Sequence, residues 1–353
     1  MLFSNLSGIR RVLLMVLSIL LLYTCQKNKH QGFSHKPTHL IYKKDVVPFK
    51  SNIDEKSYLT ILEDTDIHPQ GIEVIELDQD RLLIFSRDDQ KLYLWDGIGR
   101  TSLIAMYGDD PNQIQSGVRF LRNNDTIYLL QRLRISEISC IEETCALNVT
   151  KTFNEMVTYF ETFGSGNMLI AGSFIPNMGV IRYNLANEWQ SIGGYFFIDD
   201  IAIATHINTS TLIKLSNGDG YLQIFSLLPY ILFINNDFKI EKVYKLAEFN
   251  RPIINSTKNR SVIHYELDFE QKTSTLVWFY ERNEETIFVI RNFEMKALSN
   301  HPMDKELSVF GYDYYSFNSI NRTITYIGSS DRFIIPLTKG YLFIDNYTLK
   351  LSK

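Results

Sequence analysis

The stretch from Gln70 to Tyr107, QGIEVIELDQDRLLIFSRDDQKLYLWDGIGRTSLIAMY, constrains the fold more than any other part of the chain. Ile72, Val74 and Ile75 form a β-favouring run that stops at Asp78-Gln79-Asp80. Leu82-Leu83-Ile84-Phe85 is continuously apolar, as a strand buried on both faces must be. Ser86 to Gln90 is a polar turn, where Asp side chains bond the backbone two residues on. Lys91 to Trp95 alternates, Asp96-Gly97 closes a further turn, and Thr101 to Met106 has the mixed polarity of an outer edge strand. Four short antiparallel strands of this kind make one propeller blade, and a blade cannot bury both faces unless further copies pack against it.

Further copies are present. Ser116–Phe153 repeats the pattern, with Asn123-Asn124-Asp125 in the turn held by Asp78-Gln79-Asp80. Units over Tyr159–Tyr195, Phe197–Leu246, Val262–Leu298 and Tyr312–Leu349 follow. The repeat of about 40 to 53 residues falls within the range of propeller blades. The expected fold is all-β, a six-bladed β-propeller of four-stranded antiparallel blades, or seven if the strand-rich fourth unit holds two. A β-sandwich with similar strand spacing is the competing architecture. Thr38–Tyr42 or Tyr58–Leu62 is expected to seal the ring by pairing into the last blade. No amphipathic helix of three turns is evident; Leu298–Glu306 has room for one helical turn.

The chain begins differently. Arg10 and Arg11 precede the apolar run Val12–Tyr23, which is shorter than the roughly 20 residues a spanning helix needs and has the length of a signal peptide. It ends in Leu22-Tyr23-Thr24-Cys25. Residues 1–24 are read as a signal, 25–37 as a flexible tether and 38–353 as the propeller domain. An ordinary secretory signal with an incidental Cys is the alternative.

A Leu three residues before a Cys at this boundary resembles the lipobox of bacterial lipoproteins, which implies lipidation of Cys25 and a membrane anchor. Tyr23 and Thr24 depart from the strict pattern. With the blade count and the link Met106-Tyr107-Gly108-Asp109-Asp110-Pro111, the chain resembles the TolB-like six-bladed propeller lipoproteins of Bacteroidetes. Asn217 to Phe225 and the apolar run after it look like the fourth blade of that family. The resemblance implies an outer-membrane lipoprotein facing the periplasm or the cell surface, and it transfers no single activity.

Few residues carry recognisable chemistry. The net charge is −4 with both signs interspersed, so no basic stripe exists for nucleic acid. Cys140 and Cys145 flank a turn and form a disulfide or two free thiols; two Cys with no nearby His supply half a zinc shell. His68, His206, His264 and His301 fall into no ligand spacing, and no P-loop, GxSxG or GxGxxG occurs. No cofactor is expected. The pairs Asp88-Asp89, Asp109-Asp110 and Asp199-Asp200 offer carboxylates for calcium, or serve the turns in which they lie.

A propeller gathers function from loops of several blades at one end of its channel. On this strand assignment, the loops entering each first strand and following each second strand carry Arg87, Asp88, Asp109, Arg132 and Arg134. The later blades add Asp200, Asn217, Asp219, Arg282 and Arg332. Arg with Asp and Asn fits a polar or anionic ligand. Two functions compete: an anchored binding or protein-interaction module, and a glycan-active hydrolase or lyase whose rim residues form no linear motif.

Overall fold

Leu82–Ser86 is buried along its whole length, and its side chains alternate between two cores. Leu82 and Ile84 join Ile72, Val74, Trp95 and Leu349, whereas Leu83 and Phe85 join Phe120, Leu129 and Leu147. One strand therefore packs against sheets on both sides, which explains its uninterrupted apolar run.

The computed structural model describes residues 32–43, 58–63, 71–78, 80–123, 126–131, 133–141, 144–152, 157–163, 167–175, 178–183, 189–198, 200–215, 217–259, 262–282, 285–297, 305–337, 340–345 and 348–352. Among the described residues the protein is all-β apart from one short helix, Ile201–Ile207. Its strands form mostly small four-stranded antiparallel sheets in a propeller arrangement. Five sheets have four strands, not the six expected, and a further sheet has five.

The first sheet comprises Ile72–Glu76, Leu82–Ser86, Lys91–Trp95 and Thr101–Ala105. The second runs from Gly117–Asn123 to Thr144–Thr152, and the third from Val157–Phe163 to Trp189–Ser191. The five-stranded sheet contains Ser210–Lys214, Gly220–Phe225, Tyr230–Asn235 and Ile240–Leu246, with His39–Ile41 added in parallel at its outer edge. That addition removes the expected four-strand form: the N-terminal segment covers an edge that the repeat leaves open. The helix precedes this sheet, capped by Asp200, whose carboxylate accepts the Ile203 N–H at 3.0 Å.

The next sheet has the longest strands, Thr273–Arg282, Glu285–Ala297, Lys305–Asn318 and Thr323–Ser330. It includes segments that the sequence rhythm assigns to the last unit. The displacement arises because Ile253–Asn259 and Val262–Asp268 form a separate two-stranded hairpin ahead of it. The closing sheet then holds Ile334–Leu337, Gly340–Asp345 and Thr348–Ser352, and its fourth strand is Tyr58–Glu63 from the other end of the chain. The ring is thus sealed by the second of the two candidate N-terminal segments.

The first strands lie innermost and meet one another. The Glu73 carboxylate of the first sheet accepts the Phe120 N–H of the second at 2.7 Å, and Thr158 of the third donates to the Ser210 carbonyl at 2.6 Å. The apolar clusters complete the circle. One joins the first and second sheets, one runs from the second through the third to the five-stranded sheet, and one joins that sheet to the long-stranded sheet. The last returns through the closing sheet to the first.

Gly32–Phe33 pairs with Phe196–Phe197, and the Phe33 ring stacks on Tyr230 at 3.9 Å. The end of the expected tether 25–37 is therefore packed, because an aromatic side chain there finds a partner on the five-stranded sheet. Signal residues 1–24 and Cys25 lie outside the described residues. So does Leu298–Asp304, most of the segment with room for a helical turn; Lys305 and Glu306 belong to a strand.

Candidate functional site

Antiparallel order defines two ends of the ring. The chain enters each first strand at one end, here the near end, and returns to it after each second strand. Arg87, Asp88, Asp109, Arg134, Asp200 and Arg332 lie at the near end. Asn217 and Asp219 lie in the first turn of the five-stranded sheet, at the far end, and the backbone of Arg282 closes the corresponding turn of the long-stranded sheet. Arg132 lies outside the described residues. The nine described residues thus do not all share one end, because the turns holding Asn217, Asp219 and Arg282 follow first strands rather than second strands.

Several near-end residues have local work. The Arg134 Nε donates to Gln131 at 2.8 Å and its Nη2 to the Gln113 carbonyl, tying down the link between first and second sheets. Asp109 is exposed and accepts from Gln115 at 3.4 Å. Asp200 is consumed by the helix cap. At the far end, Asn217 and Asp219 bond each other across an exposed turn. Among the described residues no group of three acidic, His or Cys side chains fits a metal. Cys140 and Cys145 are register partners with Cα atoms 4.0 Å apart, joined as a disulfide.

The structure assembles a different cluster around Arg87. Its Nη2 donates to Glu73 Oε1 at 2.9 Å, and Glu73 is 6% exposed. Beside this pair lies Arg119, third residue of the innermost strand of the second sheet. Its Nη1 donates to Thr211 Oγ1 at 2.5 Å, and its guanidinium sits 4.2 Å from the centre of the Phe279 ring. Thr211 and Phe279 belong to the innermost strands of the five-stranded and long-stranded sheets. Neither sheet neighbours the second, so only the ring axis brings these three residues together. Arg119 therefore reaches across the ring axis.

Arg291, opposite Thr275 and Tyr312 in the long-stranded sheet, completes the cluster and lies 4.8 Å from the Phe293 ring. Burial lowers the pKa of Arg119 to about 10, with the Arg87 charge adding to the shift and Glu73 opposing it. Burial likewise lowers Arg291 to about 10, again with Arg87 adding, and with Tyr312 opposing. Both remain cationic at neutral pH; the shifts express the cost of holding like charges together away from water. Four buried donor atoms, Nε of Arg87, Arg119 and Arg291 and Nη1 of Arg291, have no hydrogen-bond partner among the described residues.

Only Arg87 of this cluster stands among the sequence-expected residues. Arg119, Arg291 and Glu73 sit inside strands, whereas the residues expected from the sequence lie in loops. Their signal is a charge interrupting an apolar strand, as in Val118-Arg119-Phe120, Ile72-Glu73-Val74 and Val289-Ile290-Arg291.

No family model and no curated protein matches this sequence. Solved structures align with this chain over most of its length. A member of the DUF4221 family from Bacteroides vulgatus aligns at TM-score 0.50 and 10% identity, over 92% of this chain and 98% of that one. A Bacteroides fragilis protein described as exported aligns at TM-score 0.49 and 9% identity, over 88% and 98%. Virginiamycin B lyase from Staphylococcus aureus aligns at 0.40 and 10% identity, over 82% and 97%. At such identities the likeness is one of fold alone.

Proposed function

We propose that this protein is an exported, envelope-located binding module of the TolB-like lipoprotein kind, anchored through lipidated Cys25, whose propeller takes a polar ligand at the near end of its channel. The observation that carries the reading is the convergence of Arg87, Arg119 and Arg291, drawn from three sheets, with buried donor atoms that have no hydrogen-bond partner. Residues gathered from separate sheets around an axis are how a propeller builds a site without a linear motif. The lipobox-like Leu22-Tyr23-Thr24-Cys25 supports the anchor.

The test pairs binding with turnover. Thermal melts of the purified chain against amino acids, carboxylates, phosphates and neutral sugars detect a ligand as a concentration-dependent rise in Tm. Chromatography of the same mixtures detects conversion. A rise without conversion supports the module; conversion of a glycan replaces it with the hydrolase or lyase reading. Acyl mass on an N-terminal Cys25 in membrane extracts tests the anchor, and a mature chain beginning elsewhere removes it.

A further inference from the structure

The arginines elsewhere in this protein show what a structural arginine looks like here. Arg134 donates from Nε and Nη2 to protein acceptors. Arg81 pairs with Asp78 at 2.7 Å, and Arg322 with Glu241 at 2.6 Å. The axial cluster departs from this rule. Arg119 has one hydroxyl acceptor and an aromatic ring, and Arg291 has an aromatic ring and buried donors without acceptors. Glu73 faces the guanidinium groups of Arg87 and Arg119, and it is already engaged by Arg87 and the Phe120 N–H; the charged group beside Arg291 is Arg87. Positive charge is left in excess at a place where a buried donor without an acceptor is costly.

We propose that the near end of the ring axis binds a small oxyanion, a dicarboxylate or a phosphate- or sulfate-bearing molecule, through the guanidinium groups of Arg87, Arg119 and Arg291, whose buried donors lack a protein acceptor. The inference rests on the reading of this protein as a polar-ligand module and adds the ligand class. Guanidinium groups present planar forks that match two oxygens of one anion, which a lysine ammonium does not. Glu73 shows that a carboxylate is accommodated beside this cluster: it accepts one bond from the Arg87 guanidinium and one from a backbone N–H of the adjacent innermost strand. Arg119 keeps some accessible surface although protein surrounds it, as a side chain lining a narrow channel does. The aromatic rings of Phe279 and Phe293 hold the guanidinium planes without taking up their in-plane donors.

The experiment is isothermal titration calorimetry of the full chain with inorganic phosphate, sulfate and malonate, with glucose as the neutral control. At least one anion is expected to bind at one per chain. Arg291→Met should weaken that anion about tenfold or more, the loss expected for a charged hydrogen-bond set. Arg119→Met should do the same, and if it does not fold, Arg291→Met carries the test alone. Glu73→Gln removes the opposing charge but keeps an oxygen for the Phe120 N–H, so it should tighten binding severalfold; a merely structural cluster predicts no tightening. Equal affinity in wild type and Arg291→Met means an adventitious ion only and overturns the proposal. Neutral sugars binding where no anion does overturns the ligand class and leaves the module standing. No binding by any compound overturns both.

Discussion

Arg119 reaches Thr211 across the axis of the ring, 2.5 Å from guanidinium nitrogen to hydroxyl oxygen, and so joins two sheets between which the third sheet is inserted. The bond acts as a spoke. Thr211→Val removes the acceptor at nearly constant shape and leaves a buried charged donor without a partner. A loss of about 1–3 kcal/mol in urea unfolding is expected. Arg119→Met removes the stored charge itself and is expected to cost less than Thr211→Val in the absence of ligand. The reverse order would mean that the cluster holds no uncompensated charge.

The N-terminal segment laces three sheets. Phe33 stacks on Tyr230, His39–Ile41 extends the five-stranded sheet, and the Lys43 ammonium donates to buried Asp313 of the long-stranded sheet at 2.6 Å. Tyr58–Glu63 then seals the closing sheet, with Ile61 buried at 4% exposure. Ile61→Ala is expected to cost about 2–5 kcal/mol, whereas Leu103→Ala, on an exposed outer strand, should stay within about 0.5 kcal/mol. Urea midpoints check both. A small effect at Ile61 would show that the seal contributes little to the fold.

Cys140 and Cys145 close a short hairpin loop, so reduction restores only modest freedom to the unfolded chain. A loss of about 2 kcal/mol is expected. Melts with and without reductant, with alkylation and mass spectrometry to count thiols, measure it. Free thiols in the native protein would refute the bridge.

The hairpin rhythm was legible because burial on two faces leaves a mark: Leu82-Leu83-Ile84-Phe85 has no polar residue, and its neighbours end in Asp and Gly turns. The helix Ile201–Ile207 was not legible, since IAIATHI alternates like a strand and only Asp200 signals a cap. The hairpin Ile253–Asp268 has the same strand chemistry as a blade, so periodicity counted it into the repeat and displaced every later boundary. The axial cluster escaped because side chains that line a channel come from strands, not loops. Arg119 and Thr211 are far apart in sequence, and no local pattern records that they meet.

Alkaline pH tests the burial of the aromatic core. Burial pushes the phenols of Tyr244, Tyr314 and Tyr315 above the ordinary tyrosine range, and Tyr221 further through the Glu161 carboxylate it donates to at 2.9 Å. A raised folded-state pKa means that the native chain keeps a proton which the unfolded chain releases near pH ~10. The stability these phenols contribute is therefore whole below that pH and is lost as pH climbs toward their folded values. Arg119 and Arg291, lowered to about 10, act in the opposite sense above the same pH, but they are outnumbered by the buried tyrosines. The expected result is a urea midpoint that is flat below about pH 10 and falls steadily above it, with tyrosinate absorbance rising as far-UV ellipticity is lost. Tyr221→Phe should flatten the fall, because Glu161 keeps the Tyr159 hydroxyl and Lys214 as partners. Tyrosinate appearing while the ellipticity persists would show that these phenols face solvent, and the packing of the five-stranded against the long-stranded sheet would then have to be redrawn.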